Sequence, residues 1–366
     1  MASVQNPSPA LSDSQLLDAL VVMSREFGSD PQCVLAGGGN TSVKIGDRLL
    51  VKASGYALAT IPADGFVALD RKALDQILET DFGADPDARE ENFKQALMAT
   101  RYEPEKGQRP SVESLMHHMA PGRFVLHAHP TVVNALTCCR DGAALAHEIF
   151  GDAILWVSYV DPGLTIAQAM WSAMCEHKVR TGMNAPRAIL MQNHGVMVYG
   201  ETPEAIRETL MWLTDAIDER LRQCSDQTPF GPVSQISSDH RRHLINVISP
   251  VLRGLLSEDS QPLKIVTCDD SLDAVRLTCG ARGHAIATGG PLTPDQIVYC
   301  KSFPMWFEPA DDENVVVDDL KTAIEPVASG HADLLTQALA QGLLGRNDEA
   351  IATMASWMLL LAILAW

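Results

Sequence analysis

The sequence predicts an α/β protein of two domains, a larger one over 1–230 and a smaller one over 236–366. Three observations point there. The chain has 366 residues, long for one domain and comfortable for two. Short strand-like runs alternate with amphipathic helical stretches along its length. A stretch rich in Gln, Ser, Pro and Gly over 223–238 separates the two regions.

From the N-terminus, Ser12 and Gln15 form an S-x-x-Q capping box ahead of Leu16, Leu17, Leu20, Val21 and Phe27 at helical spacing, and Gly28 stops that helix. Short strands are expected over 33–35, 41–45 and 48–52, with Gly46-Asp47 as the turn between the last two. Residues 70–78 read as a helix. The polar stretch over 80–107 carries a surface helix over 91–100. A helix over 111–119 takes Ser111 as its N-cap. A strand over 123–129 ends at Pro130. Helices over 131–137 and 141–150, a strand over 153–160 and a helix over 164–179 come next. Strands over 188–192 and 196–199 flank Asn193-His194-Gly195. Thr202-Pro203 opens a long helix with Ile206, Leu210, Leu213, Ile217 and Leu221 on one face.

Beyond the boundary, strands near 263–267, 285–287 and 297–300, with helices near 240–256, 271–278 and 348–366, make a smaller α/β domain. Asp295 and Lys301 there are either candidates to reach the active site of the same or a neighbouring subunit or simply part of a Pro-initiated turn and strand. "VMVYGETPEAIRET" in the first domain and "GLLGRNDEAIATM" in the second echo each other. A generic turn into a helix and a degenerate internal repeat both account for this.

Composition narrows the function. Apolar residues make up 46% of the chain, enough for a core, and the net charge of −18 argues against nucleic acid as a partner. A small anionic ligand needs only a local pocket and stays open. The N-terminus lacks a charged segment followed by an apolar one, so no secretory signal is expected. Eight scattered cysteines show no CxxC repeat, which fits a reduced, cytoplasmic protein. The apolar segment over 354–366 is shorter than the roughly 20 residues that span a bilayer and reads as a buried or interface helix, not a membrane anchor.

The chemistry-bearing residues lie in the first domain. "VLAGGGNTSVKIGDRLLVKASG" places three glycines after a short apolar run. The glycines lead into two strands, not into the helix that a dinucleotide loop would feed. "FVLHAHP" sets His127 and His129 two apart on a strand, hence on one face, which is half of a metal site. His194 lies between two apolar strands, at a sheet edge. Glu113 stands near the start of a helix just upstream of the two histidines, as a candidate base or a helix-terminal charge. His117 shares its face, one turn on.

In this order and spacing, these segments resemble the class II aldolase/adducin family. The segments are Gly39-Asn40-Thr41-Ser42, Ser54-Gly55, Pro110-Ser111-Val112-Glu113, His127-Ala128-His129-Pro130 and Asn193-His194-Gly195. The likeness is greatest to the aldolase half of bifunctional rhamnulose-1-phosphate aldolase/lactaldehyde dehydrogenases. No G-x-G-x-x-G follows residue 230, so no dehydrogenase domain is expected. The resemblance implies an α/β/α sandwich around a central, largely antiparallel sheet. It implies a divalent metal, most often Zn2+, held by His127, His129 and His194. Glu113 would ligate the resting metal and then serve as general base. Gly39, Asn40, Thr41, Ser42, Ser54, Gly55 and Ser111 would hold the substrate's phosphate or polar end. His117 and Tyr159 are candidates for outer positions, Tyr159 as a general acid. Val112 stands where simpler family members have a second serine, which leaves the phosphate open.

The expected activity is that of a lyase in sugar metabolism. The metal would stabilise the enediolate formed when a C–C bond of a ketose or ketose phosphate breaks. Epimerases, dehydratases and decarboxylases of the same family share the platform, and a non-catalytic adducin-like scaffold is the reading from another class. A homo-oligomer is expected, as is common in the family.

Overall fold

A computed structural model of the chain describes residues 11–224, 228–257, 265–300, 304–308 and 313–329. The predicted helix over 348–366, the segment over 354–366, Lys301 and the second half of the echo lie outside them. Two compact units emerge, Met1–Val133 with Ala143–Asp218, and Asn134–Gly142 with Glu219–Trp366.

The elements run α1 (Asp13–Gly28), β1 (Asn40–Ile45), β2 (Arg48–Lys52), β3 (Phe66–Asp70), α2 (Arg71–Glu79), α3 (Pro86–Ala99), α4 (Ser114–Met119), β4 (Phe124–Ala128), α5 (Thr131–Thr137), α6 (Gly142–Phe150), β5 (Ile154–Val157), α7 (Leu164–Thr181), β6 (Ala188–Met191), β7 (Gly195–Gly200) and α8 (Pro203–Arg222). The strands form one seven-stranded sheet in the order β3-β2-β1-β4-β7-β6-β5. Every neighbouring pair is antiparallel except β5 with β6.

Local chemistry accounts for these elements. The Ser12–Gln15 capping box forms, with each side chain accepting from the other residue's backbone N–H. The turn at Gly46-Asp47 uses a glycine at φ 57°, which closes β1 onto β2. Leu49, Val51, Val67, Leu69, Leu74, Phe93, Leu97, Leu115 and Met116 lead the apolar core on one side of the sheet. On the other side α1 packs on β1 through Leu20, Met23 and Phe27, and Ser24 Oγ meets Thr41 Oγ1 at 2.6 Å.

Several expectations are corrected. Residues 33–35 form turns and irregular backbone, because backbone N–H groups of Cys33 and Val34 bond back to Asp30 instead of to a strand. Strand β3, which the sequence did not suggest, lies at the sheet edge, and its last residue, Asp70, doubles as the N-cap of α2. The helix read over 111–119 begins at Ser114. Glu113 occupies the N-cap position, and Ser111 Oγ accepts from the Glu113 N–H in a turn before it.

In the second unit α9 (Ser238–Leu256), α10 (Leu272–Thr278), α11 (Gly283–Ala287), α12 (Pro294–Cys300) and α13 (Glu313–Ser329) are helical. The expected strands over 285–287 and 297–300 are therefore helix, and 265–267 is irregular. Short apolar runs are ambiguous between strand and buried helix, and tertiary packing decides. Leu244, Ile248 and Leu252 of α9 pack with Phe307, Val316, Leu320 and Ile324. Among the described residues no helix is long and apolar enough to cross a membrane.

Candidate metal centre

Strand pairing gathers the site. Asn40 at the start of β1 lies opposite His127 on β4, and His127 lies opposite Met197 on β7. His129 follows β4 directly. His194 occupies the tight turn from β6 to β7, its N–H bonded to Met191 O at 3.2 Å, with Asn193 in the left-handed region at φ 54°. Gly195 lets these segments meet, since a Cβ there would stand 2.4 Å from the Ala128 carbonyl and 2.5 Å from the His129 ring.

The donor atoms of His127, His129 and His194 all lie within 4.8 Å of one another. Ring centroids are 4.8 to 5.1 Å apart. Glu113 Oε1 is 3.1 Å from His194 Nε2 and 3.4 Å from His127 Nε2. His127 Nδ1 is 3.0 Å from the Val196 carbonyl. A carbonyl only accepts, so Nδ1 carries a proton and Nε2 is the ring nitrogen that faces the cluster. Three imidazoles and one carboxylate suit a divalent ion such as zinc, so the residues fit the metal that the resemblance implies.

The electrostatics favour the ligating forms. Burial lowers His194 to about 4, so its ring is neutral near pH 7. Burial opposes ionisation of Glu113, but the adjoining His127 and His194 rings outweigh it and hold the carboxyl well below its usual range. A neutral His194 and an ionised Glu113 are forms that bind a cation.

Strand β1 orders the surroundings by simple alternation. Asn40, Ser42 and Lys44 face α4, whereas Thr41 faces α1. The Asn40 amide donates to Glu113 Oε2. Ser42 Oγ lies 2.9 Å from His117 Nδ1. Lys44 Nζ donates to the Ala120 and Gly122 carbonyls. Burial drives His117 to about 3, which keeps it a neutral partner of Ser42. Thr41 and Ser42, both expected among the substrate-binding residues, are thus fully buried with side chains bonded inside the protein.

The remaining expected residues surround this cluster. Gly39 adopts φ 69° where a Cβ would press on the His127 carbonyl, Leu58 and Val34. Ser54 and Gly55 are exposed. The Ser54 N–H donates to Arg109 O at 2.8 Å, and a bridge joins Ala53 to Pro110, so the loop lies beside the Ser111–Glu113 turn. Ser111 is buried. Val112 is 36% exposed. Tyr159 lies past β5, with its hydroxyl donating to Asp161 Oδ1 at 3.2 Å. Burial and that carboxylate push it up to about 12.

One group escaped the sequence reading. Lys52 ends β2 with only 5% of its surface exposed, and its ammonium donates to Gly37 O at 3.1 Å. Burial lowers its pKa and the Glu113 charge opposes that. The visible signal was a lysine closing an otherwise apolar strand, "LLVK".

The sheet, with a three-histidine, one-carboxylate cluster at the ends of its central strands, has the architecture of a class II aldolase. The chain belongs to the class II aldolase/adducin family. Residues 18–220 match the profile of the Class II Aldolase and Adducin N-terminal domain, and 243–340 match that of the Aldolase class II, second domain. A curated relative is the "Uncharacterized oxidoreductase YuxG" of Bacillus subtilis (strain 168), 28% identical over 341 residues. The match covers 88% of this chain and 47% of YuxG, so the chain spans about half the length of that relative. Among solved structures, the N-terminal class II aldolase domain of a conserved protein from Thermoplasma acidophilum is similar at 26% identity and a TM-score of 0.49. That match covers 60% of this chain and 100% of the other. The L-fuculose-1-phosphate aldolase of Thermus thermophilus is similar at 18% identity and a TM-score of 0.37, over 59% of this chain and 100% of that one.

Proposed function

We propose that the protein is a metal-dependent aldolase, an aldehyde-lyase that cleaves or forms a C–C bond of a ketose or ketose phosphate. The observation that carries this is Glu113, a carboxylate within 3.4 Å of two of three converging histidines. A divalent metal at His127, His129 and His194, for which imidazole donors favour Zn2+, would supply Lewis-acid polarisation of a bound carbonyl and the hydroxyl beside it.

The chain's own residues do the rest. Glu113 takes and returns the proton at the carbon next to the carbonyl. Asn40 holds one carboxylate oxygen, which leaves the other aimed at the histidines. The exposed Ser54-Gly55 loop and the Gly39 turn bind the substrate's polar or phosphorylated end, with Ser111 beside them. His127 keeps its ligating tautomer through Val196. The free thiols, among them Cys33, Cys138 and Cys139, support a cytoplasmic setting.

The test is a screen of ketoses and ketose phosphates for release of aldehyde, with and without chelator, on wild-type protein and Glu113→Gln. Chelator-sensitive aldehyde release that Glu113→Gln abolishes, with metal content unchanged, is expected. Metal-bound protein that epimerises, dehydrates or decarboxylates the same sugars would replace the aldolase reading with another reaction of the family. Protein that binds no divalent metal would point to an adducin-like scaffold.

A further inference from the structure

A cavity of about 230 Å³ opens between β5, α6 and α7, with His147, Ile154, Trp156, Glu176, His177 and Arg180 in its wall. Ala143 and Ala173 border it with single methyl groups, which leaves the space between the helices. All of these residues belong to the first unit and none to the metal centre, whose strand β4 lies three strand spacings from β5, about 14 Å. Strand β5 ends the sheet and pairs only with β6. The Ala153 and Val157 carbonyls accept from the Arg187 and Gln192 N–H groups on the β6 side, so alternation turns the main-chain N–H and C=O of Ile154 and Trp156 outward, to the free edge. His177 is only 2% exposed, and its Nδ1 lies 3.5 Å from Arg180 Nη2. Burial lowers its pKa, so the ring is neutral near pH 7. A guanidinium only donates, so Nδ1 accepts and the proton sits on Nε2. That N–H is buried and meets no acceptor among the described residues. A buried donor left unpaired is costly, and a site for a ligand oxygen accounts for it.

We propose that this cavity is a second binding site, separate from the metal centre, for a small uncharged polyol. Sites for drug-sized molecules run to about 300–1,000 Å³, so this one takes something smaller. Charge narrows the class. Arg180 donates to Asp152, which offsets its charge, whereas Glu176 makes no hydrogen bond or ion pair among the described residues. The wall therefore carries one uncompensated carboxylate and disfavours a phosphate. Hydrogen bonding narrows it further. His177 Nε2–H and the Trp156 N–H call for acceptors, and the Glu176 carboxylate and the Trp156 carbonyl call for donors. A hydroxyl is both at once, so neighbouring hydroxyls on a carbon chain satisfy the set, with the methyls of Ala143 and Ala173 beside its C–H groups.

The test uses the full chain. Calorimetry measures binding of glycerol, erythritol and xylitol, with inorganic phosphate and glycerol phosphate as charged competitors, to wild type, Glu176→Ala, His177→Leu and His129→Ala. At least one polyol should bind wild type and His129→Ala alike, and at least tenfold more weakly to Glu176→Ala and His177→Leu, with no displacement by either phosphate. His177→Leu removes an unpaired donor, so its denaturation midpoint should equal or exceed that of wild type. Glu176 is exposed, so Glu176→Ala keeps its fold and carries the test alone if His177→Leu does not fold. No polyol binding to wild type, undiminished binding in Glu176→Ala, loss of binding in His129→Ala, or displacement by phosphate overturns the proposal. So does a folded His177→Leu that is less stable than wild type and binds as well, which would make His177 purely structural.

Discussion

The side-chain amide of Asn40 donates to the carboxylate of Glu113, joining the first residue of β1 to the residue that caps α4. The partners are 73 residues apart in sequence, and both are buried. The bond fixes which Glu113 oxygen faces the histidines. In Asn40→Ala the other oxygen, Oε2, loses its donor and the carboxylate is free to turn. Groups that orient a metal site's carboxylate are worth 10–100-fold. A fall in kcat of about that size is expected, with metal content retained. Full activity in Asn40→Ala would remove Asn40 from the mechanism.

The ligands themselves predict a different outcome. His129→Ala removes one of three clustered nitrogens. Metal affinity should fall by at least an order of magnitude, and elemental analysis after dialysis should find substoichiometric metal. Stoichiometric metal in this variant would mean that the ion binds elsewhere.

Two glycines separate crowding from backbone strain. Gly195→Ala drives a Cβ into the Ala128 carbonyl and the His129 ring. Overpacking of this kind costs about 1–3 kcal/mol, and displacement of His129 should also weaken metal binding. Gly46→Ala has open space around it and pays only for a positive φ, about 1 kcal/mol, with the metal site untouched. Denaturant melts and metal titrations of the two variants check the contrast.

Lys44 makes stability depend on pH. Burial lowers its ammonium to about 7, helped by Arg71 and opposed by Glu201. In the unfolded chain the group titrates near 10.4. Between those values the unfolded state holds a proton that the folded state has released. The unfolding free energy therefore rises as pH increases from about 7 to about 10. The carbonyls of Ala120 and Gly122 favour the ammonium and oppose the shift. The net change should be on the order of 1–2 kcal/mol. Melts at pH 7 and 9.5 should show it in wild type, and Lys44→Met should flatten it.

Ser54 separates substrate from scaffold. It is exposed, and its hydroxyl makes only a long 3.5 Å contact to Pro110 O. Ser54→Ala should leave stability within about 0.5 kcal/mol and lower kcat/KM roughly tenfold for a phosphorylated ketose. An equal kcat/KM in the two proteins would place the substrate's polar end elsewhere.

The sequence was most legible where one local rule decided the outcome. The capping box of α1, the Gly46-Asp47 hairpin and the shared face of His127 and His129 each follow from spacing over a few residues. Thr41 and Ser42 were harder. They sit in one motif with Asn40, yet strand alternation sends Thr41 to Ser24 of α1 and Ser42 to His117 of α4, and no spacing rule names such distant partners. Strand β3 was hidden because Asp70 reads as a helix cap, which it also is. The short runs over 285–287 and 297–300 carry no period long enough to tell helix from strand.

The register across β1, β4 and β7 has one more consequence. Asn40 opposite His127, and His127 opposite Met197, is an alignment of single-residue precision. Sliding β4 by one position would send His127 through to the reverse side of the sheet and carry Ala128 into its place. Residues 40, 113, 127 and 194 come together only if every intervening pairing is in frame. A chain with misaligned strands therefore has no converging histidine trio to offer, and a divalent ion bound there would add its binding energy to the correct alignment alone.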